Sequence, residues 1–324
     1  MKEEEKTSEE SLREIKAIDV MNYPWYASKE LVKKMFKADE YKMMAKTTFK
    51  TVLERMGPGT PDWMAVGALT KSSLEEVLQE MDEAGFEYVI MSDIKMWSYR
   101  RHFKLIMGDP ADGWGIETVK KMVDESDGRI VGGVGYNPFR IKESLEEVER
   151  AVKDYGFKYV WIHPITFGIS FNDKKLYPLY IKCIELDIPC CMQVGHSAEP
   201  LPSWMGHPMN ADEVAIDFPE LKLVLTHTGW PWIHEWLSMM WRHPNVYGNI
   251  GAYYPKDLDE DIIKFMDGRL RHKIMWATNG FGMTRCKKEF LELPIREETK
   301  RAVLWENAVK VFKLEPLLKK LSRI

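Results

Sequence analysis

Three short apolar segments in the middle of the chain each deliver a histidine. Trp161-Ile162-His163-Pro164 closes the first. Cys191-Met192-Gln193-Val194-Gly195-His196 closes the second, and Leu225-Thr226-His227-Thr228-Gly229 the third. The chain has eight histidines, so three at equivalent segment ends form a pattern. Neutral imidazole is a common ligand for divalent metals and the usual proton shuttle near pH 7. One such histidine alone reads as a side chain bonded to a loop carbonyl; the set of three points to a shared site. His207 follows in the loop after the second segment, within reach of the same pocket. His102, His234, His243 and His272 are weaker candidates: His234 and His243 lie on or just after a Trp-rich helix, and His272 in a turn.

The elements that must carry these histidines alternate strand and helix. Runs rich in Val and Ile at Ile15–Met21, Tyr88–Ile94, Ile130–Tyr136, Tyr159–His163, Ile188–Val194, Leu221–Thr226, Val246–Gly248 and Ile274–Ala277 read as buried parallel strands. Eight strands with helices between them predict a (β/α)₈ barrel, in which reactive groups sit at the C-terminal strand ends. Ser73-Leu74-Glu75-Glu76 is a capping box, and Leu74, Val77, Leu78 and Met81 then share one helical face. Leu145, Val148 and Val152 repeat that spacing. Pro178 stands near the start of another helix, where its missing N–H costs little. Trp232, Trp236 and Met240 form a core-facing stripe. The Lys- and Met-rich stretch from about 26 to 63 breaks the alternation and reads as an inserted helical lid or interface element after strand one. Residues 1–14 form a charged tail, and 15–324 a single domain.

Composition narrows the function classes. The 324 residues are 45% hydrophobic and 30% charged, with net charge −4, which excludes a disordered chain and a chain-wide basic footprint for nucleic acid. No apolar run is long enough for a membrane span, and MKEEEKTSEESLRE has no apolar core for a secretory signal. Cys183, Cys190, Cys191 and Cys286 form no C-x-x-C pair and read as reduced thiols of a cytoplasmic protein. Twelve Trp and twenty Met mean core packing, an aromatic-walled pocket or a large subunit interface. Trp97, Trp161, Trp204, Trp230 and Trp276 are the candidate pocket aromatics. For Trp161 and Trp276, plain barrel packing is equally open.

The stretch from Phe218 through Thr226-His227-Thr228-Gly229-Trp230 to Trp232, followed by His243-Pro-Asn-Val-Tyr, resembles the amidohydrolase-related family that includes aminocarboxymuconate-semialdehyde decarboxylase. Ile18-Asp19, Gly156–Pro164 and Glu306-Asn-Ala-Val-Lys-Val-Phe-Lys-Leu agree with other segments of that family, so the resemblance runs from about 15 to 315. It implies a (β/α)₈ barrel holding a divalent ion, usually zinc. The ligands there are H-x-H on strand one, a histidine ending strand five and an aspartate ending strand eight, while a strand-six histidine polarises water or substrate. His196 matches the strand-five ligand and His227 the strand-six histidine.

The other positions depart. Met21 and Tyr23 stand where the H-x-H histidines belong, and Asn279 where the aspartate does. A thioether suits soft ions, a neutral amide adds no charge, and a neutral phenol is a poor ligand, so the usual site should be lost or weakened. Gln193–His196, Gly206-His207-Pro208 and Asn279 resemble one branch in which that asparagine is usual; the branch includes dinuclear-iron members, among them a hydroxylase built from two dissimilar barrels. His163, His196 and His227 are also enough donors for a relocated ion, helped by Asp19 or Glu199; zinc, iron and manganese are the candidates.

These features lead to two expectations. One is a lyase or hydrolase, decarboxylase-like, for a small carboxylated substrate. His227 and His163 would be its catalytic groups, and its pocket would be built from Met21, Tyr23, Trp161, Trp204, His207, Trp230, Trp276 and Asn279. The other is a non-catalytic partner subunit of a second barrel, with the surplus aromatic and Met side chains of Trp232–Trp241 or Met35–Met44 at the interface. Either way a homo- or hetero-oligomer is expected, with no nucleic-acid or membrane partner.

Overall fold

Strand edges must be paired or covered, and eight parallel strands satisfy this by curling into a barrel. The structure, a computed structural model, describes residues 12–22, 29–67, 71, 73–101, 104–107 and 114–315. The strands are β1 (Ala17–Asn22), β2 (Phe86–Ser92), β5 (Ile130–Gly135), β6 (Val160–Ile162), β7 (Cys190–Gln193), β8 (Leu223–Thr226), β9 (Val246–Asn249) and β10 (Ile274–Met275), hydrogen-bonded in that order. All seven pairings are parallel. The eight strands lie where the Val- and Ile-rich runs predict, with ends shifted by a few residues. A short antiparallel hairpin, β3 (Met96–Ser98) and β4 (Lys104–Met107), follows β2; the sequence reading has no counterpart for it.

Alternation along each strand divides the core into two layers. Trp161, Cys191, Val224 and Met275 join Ile18, Tyr88, Ile90 and Val131 inside the barrel. Val160, Cys190, Leu223 and Ile274 face outward with the helices. The helix Leu74–Ala84 starts at Ser73, whose hydroxyl accepts from the Glu76 amide, and turns Val77 and Met81 onto the strands. On the helix Ile233–Arg242, Trp236 and Met240 are buried while Trp232 is half-buried. The indole of Trp236 donates to the Leu225 carbonyl at 3.0 Å, satisfying its one polar atom inside the apolar layer.

The seam between β10 and β1 is not a regular ladder. Two backbone bonds cross it, Val20 N–H to Trp276 and Asn279 N–H to the Met21 carbonyl. The fully buried carboxylate of Asp19 completes it. Its Oδ1 accepts from the amides of Met21 and Thr278 at 3.2 and 3.0 Å, and its Oδ2 from Asn22 and the Thr278 hydroxyl.

The expected insert forms helices Lys29–Met35, Asp39–Lys46 and Lys50–Met56. Tyr41, Met44 and Ala45 are buried on one face of the second helix. The Thr48 hydroxyl donates to the Ala198 carbonyl, 3.1 Å away, tying the insert over the loop after β7. Most of tail residues 1–14, and Tyr23, lie outside the described residues.

Replacing Asp19 with Ala is expected to cost about 2–4 kcal/mol, because two backbone amides, a hydroxyl and an amide side chain lose a buried acceptor. Urea denaturation of Asp19→Ala beside the unaltered chain measures this. A change below about 0.5 kcal/mol would mean the seam holds without it.

Candidate functional site

The register of three consecutive strands builds the site. Trp161 pairs with Cys191 and Cys191 with Val224, one inward row. One inward step further come His163, Gln193 and Thr226, the last two directly paired. Above this row lies a cavity of about 250 Å³ lined by His163, Gln193, His196, Ser197, Glu199, His227, Tyr253 and Asn279, with Trp161 at its wall. Tyr41, Met44, Thr48 and Phe49 of the insert and Met96 of the hairpin close it. The cavity thus brings together His163, His196, His227, Trp161 and Asn279.

The two deep histidines differ in which nitrogen carries the proton. The Thr166 amide donates to Nδ1 of His163 at 3.3 Å, so Nε2 carries the hydrogen; it stands 3.9 Å from the Glu199 carboxyl. The Thr226 hydroxyl donates its single proton to the Met192 carbonyl at 3.0 Å. Nδ1 of His227, 3.3 Å from that hydroxyl, is therefore the donor, and its Nε2 presents a lone pair. Among the described residues Nε2 of His227 and Oδ1 of Asn279 are buried without a partner.

Burial keeps both rings neutral. It pushes His163 down to about 3. It pushes His227 down to about 4, with repulsion from His163 adding to the effect; Asn279 favours the protonated ring of His227 without meeting it in hydrogen-bond geometry. His196 is exposed at the mouth, its ring edge-on to Trp230 at 4.6 Å, and partial burial lowers its pKa. Burial raises the Glu199 carboxyl, against the Ser197 hydroxyl that donates to it, and Glu40 raises it further.

The backbone is strained here. His227, Thr228, Ala252 and Asn279 have φ of +71°, +58°, +69° and +58°, a region that costs a non-glycine residue of order 1 kcal/mol or more. Gly195 (φ +78°) is needed for a different reason: a Cβ there would meet the Trp230 carbonyl oxygen at 2.5 Å. The loops after β7 and β8 can cross only over a glycine.

Several expected pocket residues lie elsewhere. Trp276 faces outward against Phe86 and Phe290, since it is one residue out of phase with Met275. Met21 packs in the apolar barrel interior. Trp204, His207 and Trp232 pack ring against ring in tilted and edge-on contacts, outside the cavity rather than in it, and Trp230 meets His196 edge-on. His243 and His234 are engaged with Asp212 and Asp261. The insert side chains Tyr41, Met44 and Phe49 are the cavity walls the sequence reading did not single out; the i, i+3 spacing of Tyr41 and Met44 on an amphipathic helix was the available signal.

The donor set does not fit the ordinary metal site of the fold. Met21 is a thioether sealed in hydrocarbon, and both oxygens of Asp19 are committed to the seam, so Asp19 is no ligand for a relocated ion. Asn279 brings no charge, and His196 lies at the mouth. Among the described residues no three His, Cys, Asp or Glu side chains converge to hold a metal.

The Amidohydrolase family model matches residues 116–314, more than half of the chain, and the chain belongs to that family. The curated 2-keto-4-carboxy-3-hexenedioate hydratase of Sphingobium sp. is 25% identical over 206 residues, 52% of this chain and 60% of that protein. The chain thus spans about three fifths of the length of this relative. An uncharacterized TIM-barrel protein of Bordetella bronchiseptica superposes with TM-score 0.71 at 22% identity, covering 92% of this chain and 99% of that one. A 5-carboxyvanillate decarboxylase of Novosphingobium aromaticivorans, solved with manganese, gives 0.61 at 16% identity, covering 97% and 100%. At these identities the structures establish the (β/α)₈ fold. No helix among the described residues is long and apolar enough to cross a membrane.

The histidines make stability depend on pH. With folded values near 3 and 4 against 6.5 for the free group, the unfolded chain binds protons the folded chain refuses, so stability falls as pH drops below about 6.5. Asp19, pushed up to about 6 from 3.8, works in the opposite sense: its contribution is present at low pH and lost as pH rises through 6. Comparing urea denaturation at pH 7 and 4.5, His227→Gln should lose about 2 kcal/mol less than the unaltered chain. Equal losses would show that His227 titrates normally.

Proposed function

We propose that the protein is a lyase of the decarboxylase kind, acting on a small carboxylated substrate by acid–base chemistry of its own side chains. The observation that carries this reading is the presence of oppositely protonated neutral histidines in one cavity, a hydrogen donor at His163 and a bare lone pair at His227. The carboxyl group accepts from Nε2–H of His163, and Nε2 of His227 accepts from a donor group on the substrate. The bond to the carboxyl breaks, its electron pair stays on carbon, and CO₂ leaves uncharged. The vacated carbon takes a proton from Glu199, whose raised pKa keeps the acid form present at higher pH than usual; solvent restores that proton through the mouth at His196. The curated relative is a hydratase and one structure of the same fold is a decarboxylase; both are lyases, which supports a lyase over a hydrolase. No step passes through a metal.

The test is CO₂ release from a panel of small ring carboxylates, with and without a chelator. His227→Ala and Glu199→Gln should each lower kcat roughly 10²–10⁴-fold, and chelation should leave the rate unchanged. The profile should fall on the acid side near pH 4 as His227 protonates and on the alkaline side as Glu199 ionises. Turnover that tracks a bound metal and survives His227→Ala would defeat this reading.

A supporting subunit of a second barrel is the alternative reading, favoured by the exposure of Trp204 (61%) and Trp241 (60%), more apolar surface than a free barrel needs. Of the expected interface segments, Met35 and Met44 are buried while Met43 and Trp241 are exposed. Light scattering should show a dimer or larger assembly, and Trp241→Glu should shift it toward monomer. A stable monomer at micromolar concentration would remove this alternative.

A further inference from the structure

The amide that opens the turn at His227 is held by a side chain rather than by the strand beside it. Between β8 and β9 the Leu223 amide donates to the Asn245 carbonyl at 3.0 Å. Two steps further along an evenly spaced parallel ladder, the His227 amide would meet the Asn249 carbonyl. It donates instead to Oδ1 of the Asn249 side chain, 3.3 Å away. The chain leaves the strand at this point: His227, Thr228 and Gly229 follow with φ of +71°, +58° and +73°. That reversal sets Nδ1 of His227 against the Thr226 hydroxyl and leaves Nε2 as the bare atom.

The same oxygen accepts a second amide, that of Gly251, at 3.1 Å. Ala252 and Tyr253 come next, and both line the cavity. A Cβ at Gly251 would stand 3.2 Å from Oδ1 of Asn249 and 3.1 Å from the Ala277 Cβ, so glycine is what lets this amide come so close. An asparagine that bonds the amide two residues on is an ordinary Asx turn; the bond across to His227 is one that the turn does not need. Asn249 itself is buried away from the cavity lining, so it acts only through what it holds.

We propose that Asn249 is a positioning residue: its side-chain oxygen replaces a ladder carbonyl, and this replacement selects which nitrogen of His227 faces the cavity. Without it the His227 amide would continue the ladder, a strand-like φ would return, and the ring would leave the Thr226 hydroxyl. This deepens the lyase reading, in which the His227 lone pair accepts from substrate, and rests on that reading for its use in catalysis.

The test reads the ring nitrogens directly. In protein labelled with nitrogen-15 histidine, NMR at pH 7 shows which nitrogen of each ring holds the hydrogen. His163→Gln and His227→Gln assign the two signals. Asn249→Ala should move the His227 hydrogen from Nδ1 toward Nε2 and leave His163 as it is. Asn249→Asp keeps an oxygen at the same reach and should keep Nδ1–H. If circular dichroism shows that Asn249→Ala does not fold, Asn249→Ser, too short to reach both amides, gives the same reading. In the folded variant, kcat for CO₂ release should fall roughly 100-fold with KM changed less than about threefold. A His227 ring that keeps Nδ1–H without the Asn249 oxygen overturns the inference and leaves the lyase reading standing. So does an equal change at His163, the sign of general loosening, and so does a turned ring with kcat intact. Ring spectra as expected in a protein that releases no CO₂ from any carboxylate uphold the positioning and defeat the lyase reading.

Discussion

One buried carboxylate decides whether this chain has a barrel with a usable rim. Strands β1 and β10 meet without a regular ladder, and Asp19 supplies the missing order by accepting from both sides of the seam. The Asn279 amide bonds to the Met21 carbonyl at the same seam, so the position of Asn279 beside His227 follows from the closure. A chain with an H-x-H motif on β1 could tie this seam through a metal ion. Here the tie is made by hydrogen bonds, and the aspartate is consumed in making it.

The histidine pair shows how backbone surroundings, rather than residue type, set chemical character. His163 and His227 are the same side chain at equivalent strand ends. A helical turn offers one of them an amide N–H, and a threonine hydroxyl with its proton already engaged offers the other an acceptor. The two rings consequently present opposite faces to the cavity. Burial fixes both as neutral, which favours proton relay over charge pairing.

Much of the barrel could be read from the chain because Val- and Ile-rich runs separated by amphipathic helices leave few other arrangements. The three histidines could be read for the same reason: the fold places strand ends on one rim. The aromatic walls were harder. Trp161 and Trp276 both sit in or beside strands, yet one faces in and the other out, and a single-residue difference in strand phase decides it. β10 has only two paired residues, too few for periodicity to show its phase. Trp204 and His207 looked like pocket residues because their loop follows β7; their rings find each other and Trp232 first. The hairpin β3–β4 is not legible in the sequence because strands of three and four residues carry no clear alternation. Asp19 looked like a ligand because its two acceptor oxygens are visible in sequence and its four donors, two of them at Thr278, are not.

The Thr48–Ala198 bond joins residues 150 positions apart, and the Asp19–Thr278 bonds join residues 259 positions apart. Contacts of such long sequence separation pay their loop-closure entropy late in folding. During synthesis the segment carrying His163, His196 and His227 emerges well before residue 278, so these histidines can be in place while the rim is still open. The cavity is therefore among the last parts of the molecule to form, and no partly made chain that has yet to reach β10 offers a closed cavity to a small molecule.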